Sequence, residues 1–377
     1  MTFVRPDTPA DLAGALADAA ASGHSIRLGG NFSKDKLGGP LAPAYVIIST
    51  AAMRRVLSYE PRDLTISVEA GLPYAELRRV LAENRQMAPL DPPFAETATV
   101  GGVVAANHSG PRRRLHGSAR DLVIGMTFAT LEGKLVESGG MVVKNVAGLD
   151  MGKLMIGSFG TLAAIAIVNF KLAPMPPVTR TFVTEFASAA AAIVRRDEIL
   201  TGVLQPVAVD IVNPGATAVL GLGGYALVLQ AAGNAAVIER YAIELSGARV
   251  FDGDAEDSLW QGIREYTPGF IARQPGGAIA RVPVALGQVR EVLESIDGEA
   301  IARAGTGVCY AYLPDGESAA RWCAEAQARG WRYAIEYSAA DFDRWPNPGS
   351  GFAMMVKVKE MFDPRGLLNR GRLYGRI

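Results

Sequence analysis

Two glycine-containing bends are the places in this sequence where the backbone itself could bind an anion. The first, residues 29–34, follows an apolar strand, and the second, residues 99–102, opens a predicted helix. Successive N–H groups in such bends can hold a diphosphate with little help from charged side chains. Because apolar strands that could surround a flat ring accompany the bends, we predict that they bind a dinucleotide of the flavin type.

The sequence lacks the signatures of several other common chemistries. It contains no Gly-x-Gly-x-x-Gly, no Walker-type Gly-Lys-Ser/Thr, no Gly-x-Ser-x-Gly and no His-Glu-x-x-His motif. His108 and His116 have no acidic partner nearby in the sequence, so we expect no metal site. Cys309 and Cys323 are too few for a four-cysteine iron–sulfur cluster, and we predict that both are buried apolar residues.

Charge and hydropathy exclude further classes of protein. The 377 residues include 38 basic and 38 acidic side chains, which leaves no global field for nucleic acid. The basic residues 112–114, with Arg120, are therefore predicted to form a solvated loop or a partner contact. The first residues contain no apolar stretch of signal-peptide length, so a cytoplasmic location is expected.

One uncharged stretch, between Asp210 and Glu239, is long enough to span a bilayer as a helix. Glycines interrupt it, so we favour two short strands, 217–222 and 225–230, around a glycine turn.

The elements that position the bends follow from caps and periodicity, and they predict an α+β fold. The N-terminal part combines a helix capped by Thr8 with strands and helices at 25–28, 45–49, 64–70, 100–107, 122–131, 134–138 and 162–168. Three prolines at 174–177 mark a boundary. The middle part combines helices at 188–200, 234–245, 286–295 and 317–329 with strands at 181–186, 207–212, 226–230 and 308–313. A last helix, 352–362, follows a second boundary near residue 345.

Five motifs occur in the order found in the vanillyl-alcohol-oxidase-type, or PCMH-type, FAD-binding domain. They are Gly-Gly-Asn-Phe-Ser-Lys from residue 29, Thr-Ala-Thr-Val-Gly-Gly from 97, Gly-Ser-Ala-Arg-Asp from 117, the block 139–150, and Gly-Ser-Phe-Gly-Thr-Leu from 157. Details of residues 91–93, 109–113 and 144–150 resemble the smaller FAD-binding subunit of bacterial glycolate oxidases. The resemblance implies an FAD-binding domain of two subdomains over residues 1–177, an α+β cap over 178–340, and a C-terminal segment, 341–377, that packs back on the FAD-binding domain.

The resemblance also implies a set of cofactor-binding residues. The pyrophosphate loop would be Gly29, Gly30, Asn31, Phe32, Ser33 and Lys34. The ribityl and isoalloxazine portions would contact Thr97, Gly101, Gly102, Asn107, Ser109, Gly110 and Gly117. Ile165 would contact the cofactor through backbone atoms, and Asn369 would reach it from the tail. Because the first loop has no histidine, the FAD should be non-covalent.

The implied activity is oxidation of glycolate or a related 2-hydroxy acid, in a complex with a larger FAD-containing subunit and an iron–sulfur subunit. Larger subunits of this group carry a histidine-rich metal motif in the cap, whereas residues 305–310 here contain no histidine. No catalytic residue can be assigned; Arg281, Lys144 and Tyr337 are possible carboxylate clamps that packing or surface exposure explains better. Two alternatives remain open: a stand-alone FAD-dependent 2-hydroxy-acid or alcohol dehydrogenase, and a structural subunit that has lost its flavin. Any contact with the inner membrane would be made through partners.

Overall fold

The structure is a computed structural model, and it describes residues 1–141, 150–342, 345–346 and 348–377. The chain forms two compact units. The first unit comprises Met1–Ser109, Gly117–Met175 and Asn347–Ile377, and the second comprises Gly110–His116 and Pro176–Pro346. Both units mix helices and sheets, so the fold class is α+β as predicted. Lys144 and most of the block 139–150 lie outside the described residues.

The first unit contains most of the predicted elements of the N-terminal part. Its strands are β1 (Thr2–Val4), β2 (Ile26–Gly29), β3 (Val46–Ser49), β4 (Val56–Glu60), β5 (Thr65–Glu69), β6 (Gln86–Met87), β7 (Val123–Ala129), β8 (Leu135–Gly139), β9 (Ala164–Lys171) and β10 (Ala173–Pro174). Its helices up to residue 155 are α1 (Pro9–Ala21), α2 (Tyr74–Ala82), α3 (Val100–Ala106), α5 (Ala119–Leu122) and α6 (Gly152–Met155), and a 3-10 turn lies at Thr50–Ala52. Helix α4 (Arg113–His116) comes between α3 and α5 in the chain but belongs to the second unit.

Three sheets lie among the described residues of the first unit, and the smallest is the antiparallel pair β6 and β10. Parallel strands β1, β3 and β2 form a small sheet, and α1 packs its apolar side against it through Leu12 and Leu16. Strands β4, β5, β9, β7 and β8 form an antiparallel sheet with β9 at its centre. The core of this second sheet is completed by α2 and α3. The core cluster of α1 also includes Ala129, Ala164 and Ala166 of the antiparallel sheet, so α1 packs against residues of both sheets.

The second unit is built on an eight-stranded antiparallel sheet among the described residues. Its strands are β11 (Val178–Phe186), β12 (Ala208–Val212), β13 (Tyr225–Gly233), β14 (Arg249–Phe251), β15 (Ala278–Pro283), β16 (Glu299–Arg303), β17 (Val308–Leu313) and β18 (Ala334–Ser338), in the order β14-β11-β13-β12-β16-β17-β15-β18. Its further helices are α7 (Ala189–Thr201), α8 (Pro214–Leu220), α9 (Ala235–Glu244), α10 (Gly253–Arg264), α11 (Tyr266–Arg273), α12 (Val289–Glu294) and α13 (Gly316–Ala328), with a 3-10 turn at Leu286–Gln288. The chain then returns to the first unit with α14 (Phe352–Phe362) and α15 (Leu373–Arg376).

The predicted strand at 217–222 is wrong, because this segment belongs to helix α8. The Asn213 side chain caps the helix by accepting a hydrogen bond from Ala216 N at 3.1 Å, and Pro214 occupies its first position. Gly221, with φ of 69°, ends it. An Asn-Pro start and a glycine end outweigh the β-branched residues between them. The second predicted strand of this stretch is confirmed as β13, and no helix among the described residues has the length and apolarity needed to cross a bilayer.

The described side chains of the second unit settle several individual predictions. Cys309 and Cys323 are buried, as predicted, and burial raises the pKa of the Cys309 thiol to about 12. Arg281 pairs with Glu336, and the Tyr337 hydroxyl donates to the Pro275 carbonyl at 2.8 Å. Both possible clamps therefore have structural partners.

The boundaries between the units differ from the predicted ones in detail. We predicted them after residues 177 and 340, whereas the units change at 175/176 and 346/347. Residues 110–116, assigned by sequence to the first domain, belong to the second unit. Arg114 is held there because its Nη1 donates to the Pro206 carbonyl at 2.7 Å. Arg114 is therefore held by a hydrogen bond within the second unit and is not part of a solvated loop.

Candidate cofactor-binding site

A cleft of about 730 Å³, open solvent at its mouth included, lies within the first unit. It is lined by Leu28, Gly29, Gly30, Asn31, Phe32, Ser33, Lys34, Asp35, Thr50, Thr99, Gly101, Gly102, Ala105, Ala106, Phe159, Gly160, Ala163, Ile165, Asn369 and Arg372. The two glycine bends, β9 and the C-terminal segment therefore meet at one cleft.

The first bend presents backbone donors to this cleft. Strand β2 ends at Gly29, and the turn is fixed because Ser49 Oγ donates to the Gly30 carbonyl at 2.8 Å. Asn31 Nδ2 donates to the Thr97 carbonyl at 3.0 Å. Phe32 has a left-handed backbone, with φ of 55°. The amides of residues 31–33 donate to no backbone or side-chain acceptor of the described residues, so they are available to an anion.

The second bend lies beside the first, and the amides of its residues 100–102 have acceptors within the protein. A Cβ atom on Gly30 would lie 2.1 Å from Thr99 Oγ1, so the two bends are in contact. At the start of α3, Val100 N donates to the Leu72 carbonyl at 2.8 Å and Gly101 N to the Ala70 carbonyl at 2.7 Å.

The third amide of the helix, Gly102 N, donates to Thr99 Oγ1 at 3.3 Å. That this helix start contacts the diphosphate stays a prediction, but the amides of residues 100–102 already have acceptors within the protein. Its glycines allow close packing instead, since a Cβ on Gly101 would lie 2.7 Å from the Ala70 Cβ.

The C-terminal segment closes the cleft and anchors the strand that leads into the first bend. Asn369 Oδ1 accepts from Leu28 N at 2.8 Å, and its Nδ2 donates to the carbonyls of Leu28 at 3.1 Å and Phe159 at 2.8 Å. Backbone bonds add to this contact, with Ile26 N donating to the Leu367 carbonyl at 2.8 Å. Asn369 thus lines the cleft, but its amide group is engaged with protein backbone.

Replacing Asn369 with glycine is expected to destabilise the first unit by about 2–3 kcal/mol, at about 1 kcal/mol for each lost hydrogen bond. Residue 369 has a left-handed backbone, with φ of 42°, which glycine adopts without strain. The measured change therefore reports the loss of the side-chain hydrogen bonds. Urea unfolding monitored by circular dichroism measures the loss. The control Asn234→Gly removes one exposed helix cap and should cost only about a few tenths of a kcal/mol. Equal effects of the two variants would contradict the anchoring role.

Cationic side chains also surround the cleft, contrary to the expectation of binding by backbone alone. Arg372 is buried, and burial lowers its pKa to about 10, with Asp35 acting in the opposite direction. The guanidinium stays protonated at neutral pH. Arg27 forms an ion pair with Asp35, and Lys34 Nζ lies 5.9 Å from the centre of the Phe94 ring. Free amides, cations and apolar surface from Ile165 and other lining residues together fit a diphosphate that carries flat aromatic rings.

The structure brings together some of the residues predicted for the cofactor and separates others. The cleft contains Gly29, Gly30, Asn31, Phe32, Ser33, Lys34, Gly101, Gly102, Ile165 and Asn369. It is not lined by Thr97, Asn107, Ser109, Gly110 or Gly117, and Gly110 belongs to the second unit. Whether these contact a cofactor stays a prediction.

Thr99, which belongs to the predicted second bend, also lines the cleft. Sequence reasoning missed the other lining residues: Leu28, Asp35, Thr50, Ala105, Ala106, Phe159, Gly160, Ala163 and Arg372. Of these, Phe159 and Gly160 lie inside a motif on which the resemblance depends, and this was the one signal that could have identified them.

Comparison with known proteins supplies the identity of this site. Residues 2–139 match the family model described as "FAD binding domain". The matched range includes both glycine bends, and most of it belongs to the first unit. A glycolate oxidase subunit, GlcE, of Escherichia coli (strain K12) is 28% identical over 360 residues, which cover 92% of this chain and 92% of that protein.

The similarity to a second relative is confined to part of the chain. The glycolate oxidase subunit GlcD of Bacillus subtilis (strain 168) is 28% identical over 161 residues, or 43% of this chain and 34% of that protein. Among solved structures, alkyldihydroxyacetonephosphate synthase superposes with a TM-score of 0.71 over 98% of this chain and 77% of its own, at 16% identity. The FAD binding domain and the unit that follows it thus share a known PCMH-type architecture.

Proposed function

We propose that this chain is the FAD-binding subunit of a glycolate-oxidase-like complex, which oxidises glycolate or a related 2-hydroxy acid to the 2-oxo acid. The observation that carries the proposal is the coincidence of two features. A cleft with free amides and cations lies in the FAD binding domain, and the chain is similar over nearly its whole length to a glycolate oxidase subunit. The GlcD relative supports a partner of that kind, a larger FAD-containing subunit.

FAD supplies conversion between two-electron and one-electron transfer when it is bound. The residues of this chain would hold it: the amides of residues 31–33 would donate to the diphosphate, and Asn369 keeps the end of β2 in place for them. Non-covalent attachment is part of the proposal, because residues 29–34 contain no histidine. Residues 1–177 and 341–377 would act as the FAD-binding domain and its closing segment, and 178–340 as the cap.

An accessory role is favoured over independent catalysis by the side chains at the cleft. Oxidation of a 2-hydroxy acid needs a base to accept the hydroxyl proton. Among the described residues that line the cleft, Asp35 is the one carboxylate and none is a histidine. Asp35 already forms an ion pair with Arg27, and a carboxylate that is paired with a cation is a poor base. The base and the carboxylate clamp would therefore come from the larger subunit, and an iron–sulfur subunit would receive the electrons. The proposal places the complex in the cytoplasm, with any membrane contact made by the partners.

The test is purification of the chain alone and of the complex captured with it from the native host. The chain alone should be yellow, release its flavin on acid precipitation, and reduce no dye with glycolate or D-lactate. The captured complex should contain an iron–sulfur protein and reduce the dye with glycolate. Dye reduction by the chain alone would establish a stand-alone dehydrogenase instead. A chain that binds no FAD after reconstitution would be a structural subunit.

A further inference from the structure

Arg372 is a buried cation of the cleft whose hydrogen bonds are incomplete. Its side chain is 6% exposed and lines the cleft. Nη1 donates to the Gly39 carbonyl at 3.2 Å, and Nη2 lies 3.7 Å from Asp35 Oδ1. Nε is buried and has no hydrogen-bond partner within the part of the chain that the structure describes. A buried N–H without an acceptor calls for an explanation, because buried donors are almost always satisfied.

The carboxylate near Arg372 does not neutralise the cleft. Asp35 forms its close ion pair with Arg27, and its distance to Arg372 is the longer one. Lys34 is a further buried cation on the same wall. Asp35 therefore has one negative charge to share between the guanidinium groups of Arg27 and Arg372, which leaves a net positive charge. Burying excess charge is costly unless a counter-charge completes it, so the cleft is suited to an anion.

The amides of residues 31–33 point to the same kind of ligand from the opposite end of the chain. Free backbone donors and a guanidinium are the usual combination for phosphate groups, since the planar fork of arginine matches phosphate oxygens. We propose that Arg372 is a side-chain ligand of the diphosphate that joins the two halves of the dinucleotide in this cleft. The inference rests on the proposed function, in that FAD is taken as the occupant.

The experiment compares two arginines of the same segment. Arg370 lies two positions before Arg372, is exposed, and also donates to a backbone carbonyl, that of Pro43 at 3.0 Å. The flavin-free full chain of the wild type, R372Q and R370Q is titrated with FAD and with riboflavin, which has no phosphate. Binding is followed by flavin fluorescence, and folding is checked by circular dichroism.

R372Q is expected to raise the dissociation constant for FAD by about 10- to 100-fold, while its riboflavin affinity stays that of the wild type. R370Q should match the wild type with both ligands. Added salt should weaken FAD binding more in the wild type than in R372Q, because the variant has lost a screened charge contact.

Two results would overturn the inference: an unchanged FAD affinity in R372Q, or equal losses for FAD and riboflavin, which would show that Arg372 only braces the segment. If R372Q does not fold, the same two titrations are made with R372K. Lysine keeps the positive charge but lacks the planar fork, so R372K should also weaken FAD binding and leave riboflavin binding unchanged. Failure of the wild type to bind FAD at all would instead remove the proposed function, so the two failures are distinguishable.

Discussion

Replacing Asp363 with alanine is expected to lower the free energy of unfolding by about 3–5 kcal/mol, since breaking a buried ion pair leaves an uncompensated charge. Asp363 is 2% exposed and lies 2.6 Å from Lys359 Nζ. Its two oxygens also accept from Leu367 N at 2.9 Å and Leu368 N at 2.8 Å. The variant would leave the ammonium, whose pKa burial already lowers, with two backbone carbonyl acceptors but no counter-charge. It would also leave two backbone donors without an acceptor. These are the contacts that place Asn369 at the cleft.

The loss should be measured by urea unfolding, and a second ion pair provides the control. Glu317 and Arg321 form the same i,i+4 arrangement on α13, but both side chains are largely exposed. E317A should therefore cost less than about 1 kcal/mol. All four tryptophans lie in the second unit, so a change seen by circular dichroism but not by tryptophan fluorescence locates the damage in the first unit.

The double variant K359M/D363A tests whether the stranded charge is the cause. It removes the buried ammonium together with its partner, and it should recover part of the stability that D363A loses. A D363A loss as small as that of E317A would mean that the pair contributes no more than an exposed one. Failure of the double variant to recover any stability would show that the backbone bonds of Asp363, rather than its charge, hold the segment.

Local signals in the sequence predicted much of the fold. The start of α1 follows from Thr8, whose side chain accepts from Asp11 N at 3.1 Å, and α14 has the predicted bounds. Helix α8 was mistaken for a strand because the apolar, β-branched stretch outweighed its Asn-Pro start in the prediction. Residues 110–116 differ for another reason. Arg114 contacts Pro206, and residues 92 positions apart leave no local signal of the contact.

Only those features of the candidate site that lie within a single segment of the chain could be predicted from the sequence. The first bend is a local feature, and its free amides follow from the turn itself. The amides of α3 are satisfied by Ala70 and Leu72, and no pattern within residues 99–102 shows that neighbours on another segment will accept those bonds. Arg372 is likewise brought to the cleft by the return of the tail. Sequence therefore indicated a diphosphate site but not which side chains complete it.

Replacing Gly30 with alanine is expected to weaken FAD binding by about 100-fold, with a smaller loss of stability of about 1–3 kcal/mol from overpacking. The new Cβ would lie 2.1 Å from Thr99 Oγ1, 2.6 Å from its Cγ2 and 2.9 Å from its Cβ. Thr99 cannot simply turn away, because its hydroxyl caps α3. The first bend must move instead, and its amides move with it. FAD titration of the flavin-free protein, followed by fluorescence, measures the effect.

Gly14→Ala is the matched control, because nothing lies within 4 Å of the added methyl group and the site is within α1. It should leave FAD affinity unchanged and raise stability by about 0.5–1 kcal/mol. The double variant G30A/T99A removes the two nearest atoms and leaves the Thr99 Cβ contact, so it should regain part of the FAD affinity while losing the helix cap. If T99A weakens FAD binding as much as G30A does, α3 rather than the first bend positions the cofactor. Unchanged FAD binding in G30A would mean that the diphosphate lies away from residues 31–33.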